Sequence, residues 1–241
     1  MLNKNVETFL CCDKEYESAA TVLYGAPFDS TTSYRPGTRF GSRAIRQESY
    51  GLESYSPYQD RDLEDAPVFD SGDLELCFGD TALALRDIEE RAAAILAGGK
   101  RPFLLGGEHL VTLGAVRAAA KAYPDLHIIH FDAHADLRED YLGAPLSHAC
   151  VMRRCWEILG DGRIHQFGIR SGDRAEIYWG REHVLTRMFD FEGLQETVQA
   201  LQGVPVYLTV DLDVLDPSVF PGTGTPEPGG VSFDELRRAA E

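Results

Sequence analysis

Residues 127–136 read His-Ile-Ile-His-Phe-Asp-Ala-His-Ala-Asp: a nearly continuous apolar run that gives way to acidic and histidine side chains at every second position. A run of this kind, rather than strict alternation, is how a strand covered on both faces reads. Phe103-Leu104-Leu105 and the Val-Tyr-Leu-Thr-Val of 206–210 share the pattern. Strands are therefore expected near 21–25, 68–70, 102–105, 127–132, 164–169 and 205–210, with helices near 42–49, 80–97, 110–123, 149–159 and 194–201. The helix at 80–97 is the clearest, with Leu83, Ile88, Ala92, Ile95 and Leu96 at helical spacing. Strand and helix alternating along the chain imply an α/β fold, three layers α-β-α around a doubly wound, mostly parallel sheet.

No internal repeat, low-complexity tract or linker interrupts the 241 residues, so 1–241 reads as a single domain. Ser232-Phe-Asp-Glu235 opens a last helix with a capping box, and the sequence stops at Glu241 without a C-cap or a returning strand. The expectation is a domain incomplete at its C-terminal end.

The 23 Lys and Arg stand against 39 Asp and Glu, a formal charge of −16. That balance excludes general nucleic-acid binding, which needs clustered cations, and suits a cationic ligand or a metal. Hydrophobic residues at 44% and charged residues at 26% exclude a disordered chain, a collagen and a disulfide miniprotein. Cys11, Cys12, Cys77, Cys150 and Cys155 are odd in number and lack zinc-knuckle spacing, the usage of a reducing compartment. Residues 1–18 are too polar for a signal peptide, and no apolar stretch approaches the roughly 18 residues of a membrane span. A cytoplasmic protein without a membrane partner is expected.

Three clusters end apolar strands: Gly106-Gly107-Glu108-His109, the 130–136 segment, and Asp211-Leu212-Asp213. In a parallel sheet, ligands gather where strand carboxyl ends meet. Asp132, His134 and Asp136 are two apart, as are Asp211 and Asp213, and in an extended chain such residues share a side. Two combs plus His109 converge four carboxylates and two imidazoles on one pocket. Left bare, the carboxylates would raise one another's pKa, a conflict that two divalent cations remove. Oxygen ligands with some imidazole and no thiolate favour Mn²⁺ over a structural zinc. His127, His165 and His183 read as core or surface histidines; so does His130, although its parity with Asp132 also allows a supporting place beside the ligands. The Gly- and Pro-rich stretch 222–230 is no dinucleotide fingerprint and reads as a stiff loop at the pocket mouth.

The chain resembles the ureohydrolase family, which comprises arginase, agmatinase and their relatives. The likeness runs from Tyr24-Gly-Ala-Pro-Phe-Asp29 and Arg35-Pro-Gly-Thr-Arg-Phe-Gly41 to Gly229-Gly230. It is most specific at His130-Phe-Asp-Ala-His-Ala-Asp136, Asp211-Leu-Asp-Val-Leu-Asp-Pro217 and Pro221-Gly-Thr-Gly-Thr-Pro226. Gly107-Glu-His-Leu110, Leu146-Ser-His-Ala-Cys150 and Phe167-Gly-Ile-Arg-Ser-Gly172 are similar to the bacterial and archaeal agmatinases. The resemblance implies an arginase-like fold and hydrolysis of a guanidino group to urea at two Mn²⁺. One ion would be held by His109, Asp132, Asp136 and Asp211, the other by Asp132, His134, Asp211 and Asp213. Asp136 would also accept a hydrogen bond from the attacking hydroxide, and His148 would carry a proton to the leaving amine.

Asp173 and Glu176 fall where the family contacts the far end of the substrate. With agmatine the amine product is putrescine, a polyamine precursor. The segment 137–147 lacks the Ser/Thr/Asn-rich stretch with which arginases hold an α-carboxylate. The alternatives are a guanidinobutyrase, an arginase or a formiminoglutamase, or a metal-binding protein without activity. A trimer or hexamer is implied by the same likeness. Glu108 stands where many relatives have Asp, a position that carries no metal. Relatives also continue beyond the region matching Glu241, with an acidic residue that grips the guanidinium.

Overall fold

In the computed structural model, which describes residues 7–241, apolar runs and amphipathic stretches alternate as strands and helices. The order is β1 (Thr21–Gly25), α1 (Gly41–Ser49), β2 (Tyr55–Ser56), β3 (Arg61–Asp62), β4 (Val68–Asp73), α2 (Thr81–Ala97), β5 (Arg101–Leu105) and α3 (Val111–Ala122). It continues with β6 (His127–Phe131), α4 (Val151–Leu159), β7 (Ile164–Ile169), α5 (Arg174–His183), β8 (Leu185–Met188), α6 (Leu194–Ala200), β9 (Val206–Val210) and α7 (Phe233–Ala240). Residues 1–6 of the polar N-terminal stretch lie outside the described part. None of its helices is long and apolar enough to cross a membrane.

Every expected strand and helix is present, and four short or polar elements join them. The β2–β3 hairpin has two-residue arms, β8 is half polar and exposed, and α5 carries too many charges for a clean apolar stripe. One continuous sheet was expected. Instead the strands form two parallel sheets, ordered β4-β1-β5 and β8-β7-β6-β9, and β5 and β9 do not pair with each other. Both-face cover also fails for β9: Val206, Leu208 and Val210, which share one face, are exposed, as is Phe103 on β5.

Alternation along β6 separates two cores. Ile128 faces an interior built from Tyr24, Leu85, Ile88, Leu113 and Met152, under α2, α3 and α4. Ile129 and Phe131 face a second one with Phe167, Leu194, Val214 and Leu236, under α6 and α7. Helices thus cover opposite faces, the three-layer arrangement. Beside β4, the buried Arg46 of α1 donates from Nε and Nη2 to the two oxygens of Asp70 at 2.7 and 2.9 Å, and from Nη1 to Asp73.

Candidate metal centre

In the register of β6 and β9, Phe131 sits opposite Val210, so Asp132 and Asp211 leave the sheet side by side. His109 reaches them from the other sheet. The turn after β5 presses Gly107 onto the backbone of Phe28, where a Cβ would lie 1.9 Å from the carbonyl oxygen; only glycine fits. His109 Nε2 lies 2.9 Å from Thr209 Oγ1. Its Nδ1 lies 2.9, 3.3 and 3.5 Å from oxygens of Asp132, Asp136 and Asp211. That nitrogen is buried and makes no hydrogen bond. On the other side of Asp132, His134 Nδ1 is 3.1 Å from Asp213 Oδ2 and 3.5 Å from Asp132 Oδ1.

The six expected ligands thus share one cavity of about 70 Å³, also lined by Glu108, His148, Thr225 and the 223–225 loop. They do not arrive there as extended combs. Asp136 turns into the left-handed region at φ 53°, and its carbonyl accepts the Met152 and Arg153 N–H groups at the start of α4. Asp211 caps a 3-10 turn over Leu212–Val214 and accepts the Asp213 N–H at 3.1 Å. Asp211 itself stays extended, at φ −82° and ψ 125°, whereas turns rather than strand pleat aim Asp136 and Asp213 at the pocket.

The electrostatics suit divalent cations. Burial, then the neighbouring Asp213 and Asp132, push Asp211 up to about 8. Burial and Asp132 push Asp136 up to about 7 and Asp213 up to about 6. Asp132 moves the other way: burial would raise it, but the imidazoles of His109, His130 and His134 hold it well below the usual carboxylate range. His134, which burial would lower, is raised to about 12 by Asp132 and Asp213. Divalent cations would relieve the crowded carboxylates and occupy the lone pair of His109 Nδ1. His109, His130 and Asp132, and separately Asp132, His134 and Asp213, each bring three ligand atoms within 4.8 Å of one another. The donors are carboxylate and imidazole; all five cysteines are free thiols and none lines the cavity.

His148 lines the same cavity at the head of a 3-10 turn preceding α4. Its backbone N–H donates to Thr31 Oγ1 at 3.1 Å, and Thr31 donates to Glu108 Oε1 at 2.6 Å. Its ring nitrogens lie 3.2 and 3.3 Å from the hydroxyls of Ser33 and Ser147, and burial lowers its pKa. Burial raises Glu108 to about 7. Asp173 and Glu176 are placed elsewhere. They form the capping box of α5, and Glu176 also accepts the Leu137 N–H at 3.0 Å, so both carboxylates are engaged in holding local structure.

Several residues around the centre carry no spacing signal. Arg170 donates to the carbonyls of Gly168, Asp213, Val214, Leu215 and Glu227, fastening the loop that holds Asp213. Thr225 donates to Asp213 Oδ2 at 3.2 Å, and Glu227 Oε1 lies 3.6 Å from His134 Nε2. Both belong to the 222–230 loop expected at the mouth. His130 Nε2 lies 2.8 Å from Asp132 Oδ2, the supporting place its parity allowed. His127 and His165 lie 3.0 Å apart, away from the cavity, and His183 stacks on Trp179.

Residues 19–241 match the family model of the arginase family. The chain belongs to the arginase family. Among arginase-family relatives it is 49% identical to the agmatinase of Bacillus subtilis over 232 residues, 95% of this chain and 80% of that protein. It is 42% identical to the N(1)-aminopropylagmatine ureohydrolase of Thermococcus kodakarensis, over 94% of this chain and 78% of that one. The agmatine ureohydrolase structure of Thermoplasma volcanium superposes with a TM-score of 0.89 at 36% identity, covering 98% of this chain and 81% of that one. The parallel sheets flanked by helices are therefore the arginase-like α/β fold.

Proposed function

We propose that this arginase-family hydrolase cleaves agmatine to putrescine and urea at a centre of two Mn²⁺ ions. The observation that carries the reading is the convergence of Asp132, Asp136, Asp211, Asp213, His109 and His134 on one cavity, with His109 Nδ1 buried and unpartnered. Asp132 stands between the two imidazoles, and it and Asp211 would be shared by both ions. When bound, the ions supply Lewis acidity and a water of lowered pKa as nucleophile.

The chain's own residues do the rest. Asp136, beside His109, accepts a hydrogen bond from the attacking water and fixes its lone pair toward the guanidinium carbon. His148 hands a proton to the amine as the carbon–nitrogen bond breaks, a task suited to an imidazole near neutral pH. Agmatine is favoured over arginine because no Lys or Arg lines the cavity to meet an α-carboxylate, whereas the surrounding acidity suits a substrate cationic at both ends. The similarity to agmatinases points the same way. The reading also includes a cytoplasmic protein, consistent with five free thiols, that serves polyamine synthesis and assembles as a trimer or hexamer.

The test is urea release from agmatine, aminopropylagmatine, arginine, guanidinobutyrate and formiminoglutamate with Mn²⁺ supplied. Agmatine should give the highest kcat/KM; a comparable value for arginine overturns the substrate, and urea from none of them overturns the activity.

A further inference from the structure

His109, His130 and His134 each lie against Asp132, and the buried amide of Gln166 decides whether His130 can ligate. Gln166 lies on β7 directly opposite His130 on β6. Gln166 and His130 are both fully buried, so every polar atom must find its partner inside. Gln166 Nε2 lies 2.7 Å from the carbonyl of Ala135, which can only accept, so this end of the amide is the NH₂. Gln166 Oε1 accepts the Thr186 hydroxyl at 2.9 Å, in agreement. The second amide hydrogen points at His130 Nδ1, 3.0 Å away. That nitrogen must therefore present its lone pair, and the ring proton sits on Nε2, which faces Asp132 Oδ2 at 2.8 Å.

The consequence is selective. His130 Nε2 lies with His109 Nδ1 and Asp132 in a group compact enough to hold an ion. A lone pair on Nε2 would make His130 a ligand competing with His109, and would face the lone pairs of Asp132. The proton removes both problems. We propose that Gln166 is a positioning residue that locks His130 in the Nε2–H tautomer, making it a donor to Asp132 instead of a metal ligand. Thr186 and the Ala135 carbonyl orient the amide that does this. The tautomer stands on the hydrogen bonds alone; its effect on metal rests on the functional reading above.

The experiment uses histidine-¹⁵N-labelled, metal-free protein at neutral pH, with the His130 signals identified by their loss in His130→Asn. The long-range ¹⁵N–¹H pattern should be that of the Nε2–H form, and the Nδ1–H form in the wild type overturns the proposal without any further variant. In Gln166→Glu a carboxylate faces Nδ1, so the proton should move there. Mn²⁺ affinity by calorimetry should fall about 10–100-fold, the usual cost of losing a partner that orients a ligand. An unchanged tautomer or unchanged affinity in that variant overturns it. Thr186→Val leaves the Ala135 contact, so the Nε2–H pattern should persist; its loss there would show that the carbonyl does not orient the amide. Wild-type protein that shows the Nε2–H form but takes up no Mn²⁺ would overturn the functional reading and leave the tautomer standing.

Discussion

Thr209 Oγ1 on β9 lies 2.9 Å from Nε2 of His109, a residue 100 positions earlier on the other sheet. With an ion bound at Nδ1, which faces three carboxylates, Nε2 would be the nitrogen that donates, and Thr209 would fix the plane of the ring. Thr209→Val keeps the volume and removes the acceptor. The ion held through His109 should bind about 10–100-fold more weakly, while the other is little changed. Mn²⁺ titration calorimetry reads the two separately.

In the proposed two-ion centre Asp132 and Asp211 would be shared by both ions, whereas His109 and Asp213 would each serve one. Asp132→Ala or Asp211→Ala should therefore abolish both ions, and His109→Ala or Asp213→Ala should leave one. Metal analysis after gel filtration counts them.

Stability without metal should depend on pH in a definite direction. Asp213, Asp136 and Asp211, at about 6, 7 and 8, keep protons in the folded protein at pH values where the unfolded chain has released them. Their contribution is present at low pH and lost as pH rises through those values. His134, raised to about 12, acts in the same sense, because its added stability is complete below its unfolded value and declines above it. The Tm of metal-free protein should fall between pH 6 and 8, and saturating Mn²⁺ should flatten the profile. A Tm that climbs over that interval contradicts the assignment.

His148→Ala should lower kcat by about 10²–10⁴-fold, the usual contribution of a positioned proton carrier, with two ions still bound. Steady-state urea release and metal content, measured on the same preparation, separate this from a collapsed site.

Far from the cavity, Arg46→Leu should cost about 3–5 kcal/mol, because it leaves the buried Asp70 with an uncompensated charge. Urea denaturation measures the loss.

The elements that carry the candidate ligands were legible because strand ends and polar residues coincide in sequence at 105–109, 131–136 and 210–213. What the sequence withholds is contact across elements. Gln166 reads as one polar residue in an apolar strand, and only the β6–β7 register places it against His130. Arg170 and Thr209 likewise gain their meaning from carbonyls and rings distant in the chain. Asp173-Arg-Ala-Glu176 is legible in a different way. Its spacing is that of a capping box, a local signal sufficient to account for both carboxylates. The regular two-residue spacing predicts convergence correctly but not the whole backbone path, since Asp136 and Asp213 reach the pocket through turns. The break between β5 and β9 has no counterpart in composition, because an edge strand and a covered one can carry the same apolar residues.

The five carbonyls gathered by Arg170 bear on how quickly the centre fills. A segment that ordered itself only around an arriving ion would add its own folding to the time of loading. Here a planar cation belonging to the protein already pins 213–215 and residue 227 to β7, so Asp213 waits in position. Uptake should then proceed at a rate proportional to free Mn²⁺ without reaching a plateau. Arg170→Met should convert that line into a saturating curve, limited by the loop's own closing rate.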